Sequence, residues 1–334
     1  SDSGYHSQNN SFVKRNEYKQ FNFHTSSITK VPKTGLGSSA GLVTVVTTCL
    51  VSVFKTSLDV NSSEDLTVIH NLSQIAHCQA QGKVGSGFDV AAATFGSIIY
   101  QRFDPALITG LPESSLANKD LYQESLAVLV NNTDWKIKND RVSLPQDLRL
   151  FMGDVNSGSE TTKLVAKVNE WYNSNLPESL EVYHKIDEGN LKFIEGMKEL
   201  NRLSKENSDY YAGLLKDLSS GNDFSKYPEL LKIKKAVEQI RSNFRRVTKE
   251  SGADIEPQVQ TELLDKCLNI KGVLTGMVPG AGGYDAISLI TTKDTNIIES
   301  TKDNKDFANV TWLDLRQADI GIKEENPIHY TNLV

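Results

Sequence analysis

The sequence predicts an α+β protein of two subdomains. Segments with the pattern of strands cluster in 97–154 and 271–315, and a long, charged, helically periodic stretch over 160–250 separates them. Because such segregated runs of strands and helices are typical of α+β folds, we expect sheets and helices that pack as distinct layers. The 334 residues, 38% of them hydrophobic, suffice for two cores, and we divide the chain into domains 1–147 and 148–334.

Composition and charge exclude several classes of protein. A formal net charge of −6 argues against a nucleic-acid or membrane-surface partner, since such partners usually select basic stripes. No apolar run approaches the about 18 residues that predict a membrane span. The three scattered cysteines, Cys49, Cys78 and Cys267, favour free thiols in a reducing compartment, and we expect a cytoplasmic protein.

The chain opens on a polar, turn-rich segment. Residues 1–32 lack the periodicity of a helix or strand and are typical of a loop-rich lead, and the first residue is Ser1 rather than methionine. Because a catalytic domain rarely begins with a long polar loop, we expect the natural N-terminus to lie further upstream.

Two helices follow the first glycine-rich turn. The run 38–55 is apolar on nearly every side, and its length predicts a buried helix capped by Ser38 or Ser39. A second helix is predicted over 63–81, and its inward positions are Leu66, Ile69, His70, Ser73, Ile75 and Ala76. Another glycine turn, a short helix and the strand 97–103 then follow.

The remaining elements show strand and helix patterns in turn. Strands are predicted over 125–130, 135–140 and 148–154. Helices are then predicted over 160–174, 177–205, 207–219, 227–250 and 258–270. The C-terminal part is predicted to contain, in order, the strands 271–280 and 286–292, a helix and the strand 309–315.

The glycine loop before the first helix suggests an anion site. Its Gly35-x-Gly37-x-x-Ala40 spacing matches the dinucleotide fingerprint, but the sequence lacks the preceding strand and the second strand ending in an acid, and no Walker A motif occurs. Backbone N–H groups at a helix N-terminus bind anions, and Ser38 and Ser39 can donate to phosphate oxygens or ligate Mg²⁺. A capped core helix without a ligand is the alternative.

Two further glycine-rich segments place functional groups next to tight turns. In GKVGSGFD, Asp89 is a candidate helix N-cap or a general base, and Lys83 and Ser86 offer donors to an anionic substrate. In VPGAGGYD, the loop Pro279–Gly283 has almost no side chains and lets a ligand approach the backbone, a tight turn being the alternative. Three such loops in one chain favour a ligand-binding role over coincidence.

The order of these motifs resembles that of a known family. PKTGLGSSAG, GKVGSGFDVAAA and PGAGGYDAISL, in this order, resemble the GHMP kinases. Within that superfamily, GLGSSAGLVTVVTTCL, AHCQAQGKVGSGFDVAAATFGSI and KESGADIEP are similar to the phosphomevalonate kinases of fungi and plants, and the likeness runs from about Lys33 to the C-terminus. The resemblance implies a GHMP kinase fold, with a ribosomal-S5-like N-terminal domain, partly missing, and a ferredoxin-like C-terminal domain enlarged by helices.

The resemblance also implies a kinase that uses ATP and Mg²⁺ on a small-molecule substrate, 5-phosphomevalonate. It implies that Asp89 is the catalytic residue, that Ser39 and Asp89 hold the metal, and that ATP is bound by Gly35, Leu36, Gly37, Ser38, Ser39 and Ala40. The implied substrate contacts are Lys83, Ser86, Ser157, Ser159, Arg245, Arg246, Lys249, Gly280, Ala281, Gly282 and Gly283. A mevalonate kinase, a diphosphomevalonate decarboxylase and a non-catalytic ligand sensor of the same fold are the alternatives.

A substrate with a phosphate and a carboxylate requires cations, and the predicted helix 227–250 offers a row of them. Arg241, Arg245 and Lys249 are spaced by four and therefore share one face, with Arg246 beside them. A solvated helix face is the alternative.

Several features depart from the family pattern. Many GHMP kinases carry a magnesium-binding glutamate on the helix before the aspartate, where this chain has Gln79 and Gln81. Tyr284 and Asp285 stand where many relatives continue with glycine. The family's first motif does not precede these segments, so we expect the chain by itself to be inactive. The sequence does not indicate an oligomeric state.

Overall fold

The computed structural model describes residues 37–155, 161–313 and 317–326, which form two compact units. The described parts of the first unit are 37–143 and 318–326, and those of the second are 144–155, 161–313 and residue 317. The predicted boundary at 147/148 lies close to the division at 143/144. The return of 318–326 to the first unit has no signal in the sequence.

Helices dominate the first unit. In chain order its elements are α1 Ser38–Phe54, α2 Ser63–Gln81, α3 Phe88–Phe95, β1 Ile98–Gln101, α4 Ala106–Thr109, α5 Lys119–Asn131 and β2 Lys138–Arg141. Strands β1 and β2 pair antiparallel, with Ile98 opposite Arg141 and Gln101 opposite Lys138. The strand predicted over 97–103 is therefore confirmed as β1, and the one predicted over 135–140 is displaced toward the C-terminus.

Helix α2 has the predicted bounds because both of its ends carry local signals. Ser62 caps the start by accepting a hydrogen bond from the backbone N–H of Asp65, and Gly82 ends the helix in the left-handed conformation. The predicted inward positions are buried except Ala76, which is exposed. The buried face also includes polar side chains that were not predicted, those of Asn71, Gln74 and His77.

Helix α1 is not the buried helix that its composition predicts. Its bounds are as expected, but it packs against α2 and α3 on one side, where Ala40 and Thr44 are buried. The apolar side chains that are 48–70% exposed are Leu42, Val45, Val46, Leu50 and Val53. A uniformly apolar sequence predicts a helix without indicating which of its faces is covered.

The segment predicted as a strand over 125–130 lies inside helix α5. Leu126, Leu129 and Val130 recur at helical spacing and pack in one apolar cluster with Ile75 of α2. The strand prediction is wrong because burial of this helical face outweighs the β-propensity of a short apolar run.

Among the described residues, the second unit contains an antiparallel four-stranded sheet of order β4-β5-β3-β6. Its strands are β3 Leu148–Val155, β4 Val273–Met277, β5 Ala286–Thr292 and β6 Val310–Leu313. Helical crossovers connect β3 to β4 and β5 to β6, and β5 and β6 flank β3 as antiparallel partners. This β-α-β-β-α-β order is that of a ferredoxin-like domain, as predicted.

Within the described ranges, five helices form the first crossover and enlarge the second unit. They are α6 Thr161–Ser174, α7 Glu178–Glu206, α8 Ser208–Ser220, α9 Pro228–Ser251 and α10 Gln258–Cys267, and the second crossover contains α11 Ile297–Thr301. The predicted bounds of α6 to α9 are correct to within one residue, whereas α10 ends earlier than predicted. In the parts of the chain described here, no helix is both long enough and apolar enough to cross a bilayer.

Candidate active site

Two helices of the first unit begin at left-handed glycines, which have no side chain to cap the helix N-terminus. Gly37 precedes α1 with φ 74°, and Gly87 precedes α3 with φ 81°. The first backbone N–H groups of a helix lack intrahelical partners, and the positive end of its dipole attracts anions. Two predictions are therefore corrected, because neither Ser38 nor Ser39 caps α1 and Asp89 does not cap α3.

Gly37 and Asp89 bring the first two glycine-rich motifs together. A Cβ atom built on Gly37 would lie 3.4 Å from the Cβ of Asp89. Asp89 lies in the first turn of α3, is partly exposed, and accepts a hydrogen bond from the backbone N–H of Val90 at 2.9 Å. A ligand at the N-terminus of α1 thus lies next to a carboxylate, which suits an anion accompanied by a cation.

Side chains from β1 and the residues after it hold the second glycine loop in place. The hydroxyl of Tyr100 donates to the carbonyl of Ser86 at 3.0 Å, and Arg102 donates to the carbonyl of Gly85 at 2.8 Å. Burial is the main cause that raises the pKa of Tyr100 to about 12, so the phenol remains a donor. A Cβ atom on Gly87 would lie 2.7–2.8 Å from Gln74, Phe103 and Tyr100. Sequence reasoning missed both donors, although their alternate positions in an extended segment place them on one face.

Ser39 is hydrogen-bonded to a buried histidine that sequence reasoning also missed. The Oγ of Ser39 lies 3.2 Å from Nε2 of His77, which is 5% exposed. The amide nitrogen of Gln81 lies 2.9 Å from the same Nε2. Gln79 instead exchanges hydrogen bonds with the hydroxyl of Tyr122. The two glutamines that depart from the family's glutamate pattern are therefore both engaged within the protein.

The residues at the start of α1 and α3 fit a magnesium-bound phosphate chain. Both helix starts have glycine N-caps and therefore carry backbone N–H groups without a capping side chain, apart from that of Val90, which bonds to Asp89. Such groups are suitable donors to phosphate oxygens, and Ser39 and Asp89 carry oxygen atoms of the kind that Mg²⁺ prefers. Among the residues described, no group of three or more His, Cys, Asp or Glu side chains is placed to hold a metal. This small donor set suits Mg²⁺, which usually keeps waters and substrate phosphates among its ligands.

Several predicted site residues of the first part of the chain differ in accessibility. Lys83 and Ser86 are exposed, whereas Ala40 is fully buried. The predicted ATP and substrate residues that lie outside the described residues are Gly35, Leu36, Ser157 and Ser159.

The predicted row of cations on α9 is divided between two environments. Arg241 is 1% exposed and donates from Nε and Nη2 to Oε1 of Glu256 at 3.0 and 2.8 Å. It is therefore a structural residue, and its grouping with the substrate-facing cations is wrong. Arg245 donates to the same oxygen at 3.1 Å, and Arg246 pairs with a glutamate on its own helix. Together with the exposed Lys249, they stay predicted substrate contacts.

The third glycine-rich loop packs against the segment that follows α9. Gly280, Gly282 and Gly283 all have left-handed φ angles, of 62°, 77° and 103°, in the connection from β4 to β5. Gly283 donates its N–H to the carbonyl of Ile255 at 2.9 Å, and a Cβ atom on Gly282 would lie 2.3 Å from that oxygen. The segments KESGADIEP and PGAGGYDAI are therefore neighbours in the fold, although they are distant in sequence.

After this loop, Tyr284 and Asp285 stand where many relatives continue with glycine, and both side chains interact with nearby residues. Burial is the main cause that raises the pKa of Tyr284, with a smaller contribution from its hydrogen bond to Asp254. Asp154, 8% exposed in β3, has a raised pKa because it is buried and, second, because the charge of Asp285 is near. The second unit thus contains a carboxyl group that resists ionisation next to a predicted substrate loop.

Comparisons with known proteins relate the chain to one group of enzymes. Residues 10–97 match the family model described as GHMP kinases N terminal domain. The phosphomevalonate kinase of Candida albicans is 41% identical, and the alignment covers 100% of this chain and 75% of that protein. The likeness therefore begins earlier than Lys33, where the sequence motifs place its start.

Two further relatives and one solved structure agree with this result. The phosphomevalonate kinases of Gibberella zeae and Aspergillus fumigatus are 35% and 34% identical, over 84% and 90% of this chain. The chain spans 56% and 62% of the lengths of these two relatives. The crystal structure of a Lin0012 protein from Listeria innocua shares the fold, with a TM-score of 0.54 at 19% identity over 84% of this chain and 66% of that one.

Proposed function

Because the chain belongs to the phosphomevalonate kinase family of the GHMP kinases, we propose that it transfers the γ-phosphate of ATP to 5-phosphomevalonate, giving 5-diphosphomevalonate and ADP. Family membership rests on 41% identity over 75% of the Candida albicans relative. The comparisons confirm the family that the sequence motifs predicted and the α+β fold that the family implies. A place in isoprenoid and sterol synthesis is part of the proposal.

One observation carries the proposal: two helix N-termini with glycine N-caps lie near one carboxylate, that of Asp89. A Cβ atom built on Gly37, at the start of α1, would lie 3.4 Å from the Cβ atom of Asp89, which is an ordinary van der Waals distance. We assign the ATP phosphates to the N-terminus of α1, and the loop that binds them to 35–40. The absence of a side-chain cap supports this assignment, because the N–H donors are then left for the phosphates.

The acceptor group determines what Asp89 has to do. A phosphomonoester is largely doubly ionised near neutral pH, since its second pKa is about 6. We therefore assign Asp89 to orienting the acceptor phosphate and holding the cation, rather than to removing a proton. Bound Mg²⁺ would neutralise charge on the phosphate oxygens, and Ser39 and Asp89 are its proposed ligands. The N–H groups at both helix ends stabilise negative charge that develops during transfer.

The proposed substrate contacts combine cations with a backbone loop. Lys83 and Ser86 of the first unit are exposed and offer donors. In the second unit, the guanidinium groups of Arg245 and Arg246 are planar donors that suit phosphate and carboxylate oxygens. The full proposed set also includes Ser157, Ser159, Lys249, Gly280, Ala281, Gly282 and Gly283.

The proposal is tested by ADP release on adding ATP, Mg²⁺ and 5-phosphomevalonate. We measure it on the 334-residue chain, and the same assay tests the expectation that this chain is inactive by itself. We expect Asp89→Asn to lower kcat by about 10²-fold or more. The matched control is Asp104→Asn, which alters a carboxylate that accepts from the N–H of Ala106 at the start of α4.

Two outcomes contradict the proposal. Turnover of mevalonate or decarboxylation of diphosphomevalonate, without turnover of 5-phosphomevalonate, assigns the chain to a sibling reaction. Equal activity of Asp89→Asn and the parent removes Asp89 from the reacting centre.

The proposed location is the cytoplasm. Support comes from the three cysteines, which are all free, with Cys49 exposed and Cys78 and Cys267 buried. The related phosphomevalonate kinase of Arabidopsis thaliana, 34% identical over 80% of this chain, is named peroxisomal. Cell fractionation with a tagged full-length protein distinguishes the two compartments.

A further inference from the structure

We propose that His77 is a positioning residue: it accepts a hydrogen bond from the Ser39 hydroxyl and so presents the oxygen of Ser39 to a magnesium-bound nucleotide as a cation ligand. The inference rests on the proposed function, because it takes the N-terminus of α1 to bind the phosphates. Nothing in the sequence motifs assigns a role to His77, which lies on α2 and meets Ser39 only in the folded chain.

The hydrogen bonds at His77 define which atom carries the proton. Nε2 of His77 lies 3.2 Å from Oγ of Ser39 and 2.9 Å from the amide nitrogen of Gln81. An amide nitrogen donates hydrogen bonds and does not accept them, so Nε2 is the unprotonated nitrogen of a neutral imidazole. The hydroxyl of Ser39 therefore donates a hydrogen bond to Nε2, whose single lone pair it shares with the amide N–H of Gln81.

This donation decides between the two roles that the sequence leaves open for Ser39. A hydroxyl has one proton to donate and two lone pairs to offer. With the proton directed at His77, the lone pairs remain for a cation, whereas a phosphate oxygen requires a donor. Ser39 is exposed, so a ligand can reach its oxygen. Phosphate donation then falls to the backbone N–H groups of α1 and to Ser38.

Burial makes His77 suitable for this task. The side chain is 5% exposed, and Gln81 holds the same nitrogen from the next turn of α2. A buried ring whose acceptor nitrogen is fixed in place limits the rotamers of the hydroxyl that donates to it, as outer partners of metal ligands commonly do. Ser39 is then oriented before any ligand binds.

The test compares nucleotide affinity with and without the metal in the full-length protein. ADP is titrated calorimetrically in the presence of Mg²⁺ and, separately, of EDTA. We expect His77→Leu to raise Kd for MgADP about tenfold and to leave Kd for metal-free ADP within about twofold. His77→Gln carries an acceptor oxygen near the position of Nε2, and we expect it to recover most of the MgADP affinity.

His70 provides the matched control, because it is a fully buried histidine on the same helix that bonds to Asn71 rather than to the site. His70→Leu is expected to lower thermal stability without changing the ratio of the two ADP affinities. A double-mutant cycle adds a second readout: in a Ser39→Ala background, His77→Leu should have no further effect on MgADP binding.

Two results overturn the role of His77. One is an equal loss of affinity for both forms of ADP, and the other is an undiminished effect in the Ser39→Ala background. Failure of the proposed function alone gives a different result. The effect of His77→Leu on MgADP affinity would then persist in a protein that does not phosphorylate 5-phosphomevalonate. A parent protein that binds neither form of ADP overturns both.

Discussion

The carboxylate of Glu256 joins α9 to the loop and helix that follow it, and its removal should destabilise the second unit strongly. Glu256 is 2% exposed. Its Oε1 accepts hydrogen bonds from Nε and Nη2 of Arg241, from Arg245 and from the hydroxyl of Thr261, at 2.8–3.1 Å. The perturbation we choose is Glu256→Ala, which removes this acceptor and leaves the cations in place.

The expected loss in the free energy of unfolding follows from the burial of Arg241, which is 1% exposed. After the substitution, its nearest carboxylate partner is Asp265 at 3.0 Å, whose side chain is 60% exposed and solvated. Removing one partner of a buried ion pair costs about 3–5 kcal/mol, because the other charge is left without compensation. Replacing both groups, as in Arg241→Met with Glu256→Leu, should recover most of this loss, because neither charge then has to be desolvated.

The assay is urea denaturation followed by tryptophan fluorescence, with the free energy of unfolding taken from midpoint and slope. The control is Glu238→Ala, because the side chain of Glu238 pairs with Arg245 at the surface and is 57% exposed. Exposed pairs contribute about 0–1 kcal/mol, so a small loss is expected there. A loss for Glu256→Ala no larger than that of the control would refute the reasoning, as would a double variant less stable than Glu256→Ala.

Three further predictions concern buried groups. Burial lowers the pKa of His70 from 6.5 to about 4, so the unfolded chain binds a proton that the folded chain excludes. Stability should therefore fall as pH decreases from 6.5 toward 4, by up to about 1.4 kcal/mol per pH unit, and urea midpoints of His70→Leu should lack this slope. Burial raises the pKa of Asp154 above its ordinary 3.8, so stability should fall as pH rises past that value, and Asp154→Asn should unfold at higher urea at pH 7 than the parent does. Iodoacetamide should modify the exposed Cys49 first, whereas burial raises the pKa of Cys267 to about 12 and should protect it until the chain unfolds, as peptide mass mapping would show.

Elements with local end signals could be predicted to within a residue. Helix α2 follows the cap Ser62 and stops at Gly82, and α9 has Pro228 in its first turn and stops at Gly252. Helix α5 lacks a side-chain cap at its start and was misassigned in part as a strand, because its helical face becomes recognisable only when it packs on α2. The order of strands, β4-β5-β3-β6, depends on pairing across the sheet, which periodicity does not indicate, and the ferredoxin-like domain was expected only from the family resemblance.

The candidate site, like the fold, combines features that are visible in the sequence with features that only the structure reveals. Glycine-rich segments are visible in the sequence, whereas the proximity of Gly37 to Asp89 becomes apparent only in the folded chain. His77 and Tyr100 were missed because each acts on a residue elsewhere in the chain, Ser39 in one case and Ser86 in the other. A charged residue four positions from another predicts a shared face, but not whether that face is buried, as the environment of Arg241 demonstrates.

The glycine N-caps of helices α1 and α3 relate these observations to one another. A serine or aspartate side chain at an N-cap would occupy one of the first N–H groups, whereas glycine stabilises a helix nearly as well and occupies none. Gly37 and Gly87 take left-handed conformations that other residues adopt at a cost, and a Cβ atom at Gly87 would also collide with its neighbours. The glycines themselves occupy none of these donors, although the N–H of Val90 donates to Asp89. Tyr100 and Arg102 hold the second loop in place, and His77 is hydrogen-bonded to the Ser39 hydroxyl beside the first helix start. Each of these features would be unnecessary in a helix that only had to fold, and the proposed binding site for a phosphate chain with its cation rests on them together.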